Sequence, residues 1–228
     1  MVTTNPTPPK RDIGLGCRLR PVSGWSKKNG AAYFFIKNVS TNVLKNAQKK
    51  SSLVFVDETF IELISEKNQS LIKSIKTYEN LFILRSFTKS FGLAGLRIGY
   101  GIGNKEMVNV LQKLKIPWNV SNIAQNAASA AICYHPFLEK SRALIENENQ
   151  FLKKSISKIK NFSCYNSSTN FILLNTKIKS KTLQKKLLRK NILIRDCSTF
   201  RGLNENYIRI AVKKRKDNLK LIKALEAI

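Results

Sequence analysis

The chain has 228 residues, 43% of them hydrophobic, and its 41 basic residues face 14 acidic ones for a formal charge of +27. That length accommodates one large domain or two small ones around a buried core. No apolar run approaches the roughly 18 residues of a membrane span. Cys17, Cys133, Cys164 and Cys197 show no CxxC spacing, and with the single His135 they offer too few ligands for a zinc site. The lysines are scattered rather than interleaved with aromatics, which speaks against a nucleic-acid module. A surface for nucleic acid or anionic lipid is thus less favoured than a Lys-, Asn- and Ile-rich composition that reflects coding bias, and a positive field also benefits an anionic cofactor or substrate. The start carries no apolar signal core, so a reducing cytoplasm is expected.

Residues 1–45 hold four of the six prolines and four of the ten glycines, and eight basic residues there face one acid, Asp12. Periodicity is poor, so an irregular basic segment is expected. A short helix is expected over Val43 to Lys50. Ser52-Leu53-Val54-Phe55-Val56 is a continuous apolar run ending at Asp57-Glu58, as in a strand buried on both faces of a parallel sheet. The spacing of Ile61, Ile64, Leu71, Ile72 and Ile75 predicts a helix over 61–76. Leu81-Phe82-Ile83-Leu84 reads as a second buried strand, and glycine-rich Leu96 to Ile102 as a third. An amphipathic helix over 104–115 ends before Pro117. A long helical region from Asn122 to Lys160 breaks at His135-Pro136. The remainder alternates: strand Asn170–Leu174, helix Lys181–Lys190, strand Ile192–Arg195, strand Tyr207–Val212 and helix Lys216–Ala227. The fold class is α/β, a partial parallel-sheet large domain with a small C-terminal α+β domain.

The chemistry concentrates in Arg85-Ser86-Phe87-Thr88-Lys89-Ser90-Phe91-Gly92-Leu93-Ala94-Gly95-Leu96-Arg97-Ile98-Gly99-Tyr100. Lys89 lies just past an apolar run, Ser86 and Thr88 flank it with hydroxyls, and Arg97 stands eight residues on. A pyridoxal-phosphate enzyme needs such a set: an amine for a Schiff base, with hydroxyls and a guanidinium for a phosphate. A neighbouring cation such as Arg97 also lowers a lysine's pKa. The alternative is a surface turn in which Gly92 and Gly95 permit tight geometry. Asp57 ends a buried strand, where ligands of open parallel sheets sit. It can hold a pyridine nitrogen protonated, or cap the next helix. Alternation puts Tyr207, Arg209 and Ala211 on one strand face and Ile208, Ile210 and Val212 on the other. Arg209 then suits carboxylate recognition or is an exposed strand arginine, and Arg195 has the same standing.

Residues from about 46 to 228 resemble the C-terminal part of a fold-type I pyridoxal-phosphate enzyme of the class I/II aminotransferase group. Ser86–Tyr100 resembles that group's Schiff-base lysine motif, and Val56-Asp57-Glu58-Thr59-Phe60 its Asp-Glu-Ala-Tyr segment. The resemblance implies pyridoxal 5′-phosphate as cofactor and Lys89 as the Schiff-base lysine. It also implies Asp57 as partner of the pyridinium nitrogen, Ser86, Thr88 and Arg97 as phosphate ligands, and Arg209 as holder of the substrate α-carboxylate. Within the group, histidinol-phosphate aminotransferases usually have tyrosine where Phe60 stands, and threonine-phosphate decarboxylases of cobalamin synthesis commonly have phenylalanine. The runs Ile192 to Leu203, Tyr207 to Lys213 and Ile116 to Ser121 are similar to the decarboxylase pattern. That branch is favoured, with Arg195 a candidate for the substrate phosphate and histidinol-phosphate-type transamination the alternative. An inactive basic binding protein on the same fold is the reading from another class.

By this resemblance the chain divides into an irregular basic segment (1–45), a partial pyridoxal-phosphate-binding domain (46–150) and a small domain (151–228). A small phosphorylated amino acid is the implied substrate, and a homodimer the implied assembly. The family's first half, with its phosphate loop, stacking aromatic and Asn-Pro-x-Asn-Pro-Thr-Gly segment, has no counterpart. Asn5-Pro6-Thr7 echoes the end of that segment, but Pro8 replaces the glycine, and no role is carried onto Asn5.

Overall fold

A computed structural model describes residues 41–65 and 69–228. The segment up to residue 40, with Asn5-Pro6-Thr7 and Cys17, lies outside the described residues. Helix α1 (Thr41–Lys49) includes the last five residues of the stretch expected to be irregular. Two apolar runs, Val54–Asp57 (β1) and Leu81–Ser86 (β2), pair in parallel, from Val54 opposite Leu81 to Asp57 opposite Leu84. Both strands therefore end on the same edge. Leu44 of α1 is fully buried against Val56, Tyr78, Leu81 and Ile83 and covers one face of this pair.

The chain leaves β2 through the short helix α2 (Phe87–Ser90), turns at Gly92 with φ +70°, and passes a 3-10 turn at Ala94–Leu96. Strand β3 (Gly99–Ile102) then returns antiparallel beside β2, giving the order β1-β2-β3. Gly99 is required by this approach, because a Cβ there would lie 2.5 Å from the Arg85 carbonyl oxygen. Helix α3 (Lys105–Leu114) starts at Asn104, whose side chain accepts the Met107 amide at 2.7 Å. Helix α4 (Asn122–Cys133), capped by Ser121, packs Ala124 and Ala128 on Phe87 and Ile98. Helix α5 (His135–Ile156) comes next, with Pro136 in its first turn, where no amide is needed.

A second sheet uses β4 (Phe162–Cys164), β5 (Phe171–Thr176), β6 (Arg195–Asp196) and β7 (Tyr207–Ala211) in the order β4-β5-β7-β6, all antiparallel. Helices α6 (Ser180–Leu188) and α7 (Arg215–Glu226) join α5 on one face, where Ile208 and Ile210 meet Leu152, Leu174, Leu187 and Leu225. Tyr207 and Arg209 alternate to the other face, as the sequence predicts. Glu148 of α5, nearly buried, accepts from Arg215 Nε at 3.0 Å and Asn218 Nδ2 at 2.7 Å, and this ties α5 to α7. Among the described residues no helix is long and apolar enough to cross a membrane, and no group of three His, Cys, Asp or Glu side chains is placed to hold a metal ion.

Four local expectations are corrected. In place of a helix over 61–76 there are two 3-10 turns, Ile61–Leu63 and Ile72–Lys76. The Glu58 carboxylate accepts from Ser70 Oγ and the Leu71 amide, and these side-chain bonds replace helical ones. The third strand begins at Gly99 rather than Leu96, because Arg97 adopts the left-handed region at φ 49°. Ile192–Ile194 is a connector: Ile194 is buried, but its carbonyl accepts from Gln184 Nε2 at 2.8 Å instead of from a strand. Strand β4 was not expected, since three residues are too few for alternation to register.

Leu174, 0% exposed between β5 and the helices, and Leu193, 76% exposed, separate core from connector. Leu174→Ala is expected to lower unfolding free energy by about 2–5 kcal/mol. Leu193→Ala should stay within about 0.5 kcal/mol of the parent. Denaturant unfolding of both variants checks the contrast.

Candidate functional site

The carboxyl edge of β1 and β2 forms a cleft of about 250 Å³ lined by Asp57, Thr59, Ser86, Thr88, Arg97 and Gly99, among others. This is near the low end of small-molecule sites, which start at roughly 300 Å³. Asp57 terminates β1, and its Oδ1 accepts from the Thr59 amide at 2.9 Å and from Thr59 Oγ1. Its Oδ2 has no hydrogen-bond partner among the described residues. Ser86 ends β2 with extended backbone and caps α2, its Oγ accepting from the Thr88 amide at 3.2 Å. The two hydroxyl oxygens, Ser86 Oγ and Thr88 Oγ1, are 2.8 Å apart and share one bond, so both remain able to serve a ligand. Arg97 is held at φ 49° after the 3-10 turn, a conformation that costs a non-glycine residue roughly 1–2 kcal/mol. Its Nη1 donates only a long 3.4 Å bond to the Ala94 carbonyl.

Behind the cleft lies a network that sequence reasoning did not assign. The Glu58 side chain is 0% exposed and its Oε2 accepts from Arg85 Nε at 3.1 Å, Arg85 Nη2 at 3.0 Å and Ser70 Oγ at 2.8 Å. Arg85 Nη2 also donates to Ser70 Oγ at 2.8 Å. Burial acts to lower the Arg85 pKa, but hydrogen bonds to Tyr100 and Glu58 outweigh it and leave the group above its ordinary value. Burial raises the Tyr100 pKa, and its hydroxyl donates to Glu62 Oε1 at 2.9 Å. The available signal was a pair of opposite charges at the ends of two buried runs, which becomes readable once those runs are known to be neighbours.

Lys89 occupies the third position of α2, one residue beyond Thr88. Its side chain is exposed and does not line the cleft. Arg209 and Arg195 are directly opposite each other on β7 and β6. The Arg209 guanidinium lies 4.8 Å from the Phe171 ring centroid, and that of Arg195 5.6 Å from Phe200. Phe171 in turn meets the Phe60 ring edge-on at 5.3 Å, so two ring contacts connect Arg209 to the turn after Asp57. Like charges opposite one another repel, and the nearest acid in the chain, Asp196, follows Arg195 directly. Asp196 is engaged by Ser180 Oγ at 2.7 Å, the Ser198 amide at 2.8 Å and Ser198 Oγ at 2.9 Å. The Ser180 hydroxyl and the Ser198 amide hold its carboxyl below the usual range. The structure thus brings Asp57, Ser86, Thr88 and Arg97 into one cleft and sets Arg195 and Arg209 together on a second surface.

Residues 39–225 match the family model described as Aminotransferase class I and II. A protein of Caldanaerobacter subterraneus subsp. tengcongensis, provisionally named threonine-phosphate decarboxylase, is 36% identical over 190 residues, covering 82% of this chain and 51% of that protein. The histidinol-phosphate aminotransferase of Methanosphaera stadtmanae is 33% identical over 190 residues, with the same coverages of 82% and 51%. The crystal structure of the histidinol-phosphate aminotransferase from Clostridium acetobutylicum superimposes with a TM-score of 0.78 at 34% identity, covering 82% of this chain and 57% of that one. The chain spans about half the length of the curated relatives it matches.

This geometry has two measurable consequences. Arg97→Ala and Arg97→Gly should weaken retention of inorganic phosphate equally, while the glycine variant melts higher because it adopts positive φ without a Cβ. Phosphate titration and thermal melts read the two effects separately. Because the Asp196 pKa is depressed, its bonds contribute stability that is complete above the ordinary value of 3.8 and is lost as the pH falls below it. Asp196→Asn should therefore be less stable at neutral pH and show a shallower loss in acid, as monitored by unfolding across a pH series.

Proposed function

This chain belongs to the class I and II aminotransferase family, whose cofactor is pyridoxal 5′-phosphate, and we propose that its cleft holds that cofactor in an enzyme of the threonine-phosphate decarboxylase type. One observation carries the reading: Asp57, Ser86, Thr88 and Arg97, from three separate stretches, meet in one cleft. The donor set fits a phosphorylated pyridine. Two hydroxyls and a guanidinium match the oxygens of a phosphate ester, and Asp57 Oδ2 is available to a protonated ring nitrogen.

Ser86 Oγ, Thr88 Oγ1 and the Arg97 guanidinium would grip the phosphate, and Asp57 would hold a proton on the ring nitrogen. Bound in this way, the cofactor supplies an electron sink for the substrate Cα. Lys89 Nζ, on a flexible four-carbon stem, would supply the amine that attaches the cofactor. Arg209 would take the substrate carboxylate and Arg195 its phosphate. Arg195 and Arg209 stand opposite each other in register on β6 and β7, an arrangement that suits a substrate with two anionic groups.

Phe60 supports the decarboxylase branch. It packs on Phe171 and offers no hydroxyl where histidinol-phosphate aminotransferases usually carry tyrosine. The likeness to the Clostridium acetobutylicum aminotransferase favours the second reading, in which Lys89 Nζ moves the Cα proton. A homodimer in a cytoplasmic compartment, acting on a small phosphorylated amino acid in cobalamin synthesis, completes the proposal.

Borohydride reduction after addition of the cofactor, with subsequent peptide mapping, tests the site. Label is expected on the peptide bearing Lys89 and is expected to vanish in Lys89→Ala. Label absent, or spread over surface lysines in both proteins, overturns the reading. Release of carbon dioxide from threonine phosphate, against amino transfer from histidinol phosphate, then separates the branches.

A further inference from the structure

The cleft depends on how far Asp57 stands from Ser86 and Thr88, and these groups lie on the ends of two different strands. The backbone ladder stops there. Its last bond across the pair is from the Glu58 amide to the Leu84 carbonyl, at 2.8 Å. Beyond that point the cross-ties are side chains. Glu58 and Arg85 are the residues next to Asp57 and Ser86, and they bond to each other through two guanidinium nitrogens. Ser70 closes a triangle with both, and the Leu71 amide satisfies Glu58 Oε1 at 2.7 Å. Tyr100, the register partner of Arg85 on β3, donates to Glu62 Oε1 at 2.9 Å. The backbone carbonyl of Glu62 accepts from Arg142 of α5 at 2.7 Å. The turn carrying Thr59 and Phe60 is therefore held at residue 58 and again at residue 62.

We propose that the Glu58–Arg85 pair is a positioning device that sets the spacing between Asp57 and the Ser86–Thr88 hydroxyls, with Ser70 as its third member. A buried ion pair is a poor source of net stability, because desolvation offsets the attraction, whereas fixing one register is its best-attested use. The geometry suits that role, since Nε and Nη2 of Arg85 converge on the one oxygen Oε2 of Glu58 while the Leu71 amide holds Oε1, so sliding one strand end past the other breaks several bonds at once. Asp57 and Ser86 are bonded directly to the paired residues, so a shift of the pair moves both sides of the cleft.

The inference rests on the cofactor reading for its consequence, but its geometry can be measured without a ligand. Glu58→Gln keeps the side chain's shape and removes its charge. Amide hydrogen exchange at Thr59 and Thr88, whose N–H groups are held by Asp57 and Ser86, is expected to accelerate about tenfold, while β5 and β7 amides stay unchanged. Affinity for pyridoxal phosphate should fall by about tenfold to a hundredfold. Glu148→Gln breaks the other buried acid's contacts, between α5 and α7, and controls for lost stability. It should lower the melting temperature without moving either readout. The proposal is overturned if folded Glu58→Gln keeps parental exchange at Thr59 and Thr88, or if Glu148→Gln changes exchange and affinity as much. Should Glu58→Gln not fold, Ser70→Ala removes one hydroxyl from the triangle and is judged by the same two amides. A parent that binds no cofactor sinks the functional reading alone, and the exchange result still decides this one.

Discussion

Four residues of β1 lie in parallel register against β2, and from this pairing the two carboxyl ends acquire a common edge. Val56, Leu81 and Ile83 drive it, being removed from water beneath α1. The direction of the pairing decides the chemistry. In an antiparallel pair of the same strands, Asp57 and Ser86 would stand at opposite ends of the sheet. In the parallel pair they share one cleft, which also receives Thr88 from the short helix after β2 and Arg97 from the turn before β3. Open α/β sheets place ligands at this edge for the same reason: strands end there, and the chain must turn with backbone groups and short polar side chains exposed.

The second sheet obeys a different constraint. Its core lies on one side, where the isoleucines of β7 meet three helices, so alternation leaves arginine and tyrosine on the other side. That face is joined to the first sheet through Phe171 and Phe60 and through α5, which contributes Arg142 to Glu62 and Glu148 to Arg215. Twenty of the 41 basic residues fall within 151–228 against four acids, so the field around Arg195 and Arg209 is positive on balance. Such a field concentrates small anions whatever the substrate proves to be.

Legibility varied with the range of the interaction. The order and type of most elements are set by local pattern: the apolar runs of β1 and β2, the amphipathic spacing of α3, and Pro136 dividing α4 from α5. Failures came where side chains from elsewhere satisfied the backbone. Glu58 captures Ser70 and Leu71 and prevents one helix, and Gln184 takes the Ile194 carbonyl from a strand. In the site, Asp57, Ser86, Thr88 and Arg97 were recognisable by residue type and spacing, whereas nothing local in the sequence joins Glu58 to Arg85.

The amino-acid sequence alone determined which groups are available to the chemistry and which strands and helices carry them, because both rest on residue type and on periods of two and 3.6 residues. Only the tertiary structure decided the register of β1 on β2, that Arg195 opposes Arg209, and that a buried carboxylate meets a guanidinium behind the cleft. Those are pairings between residues far apart in the chain. Their free energy comes from desolvation and register, which no local window of sequence contains.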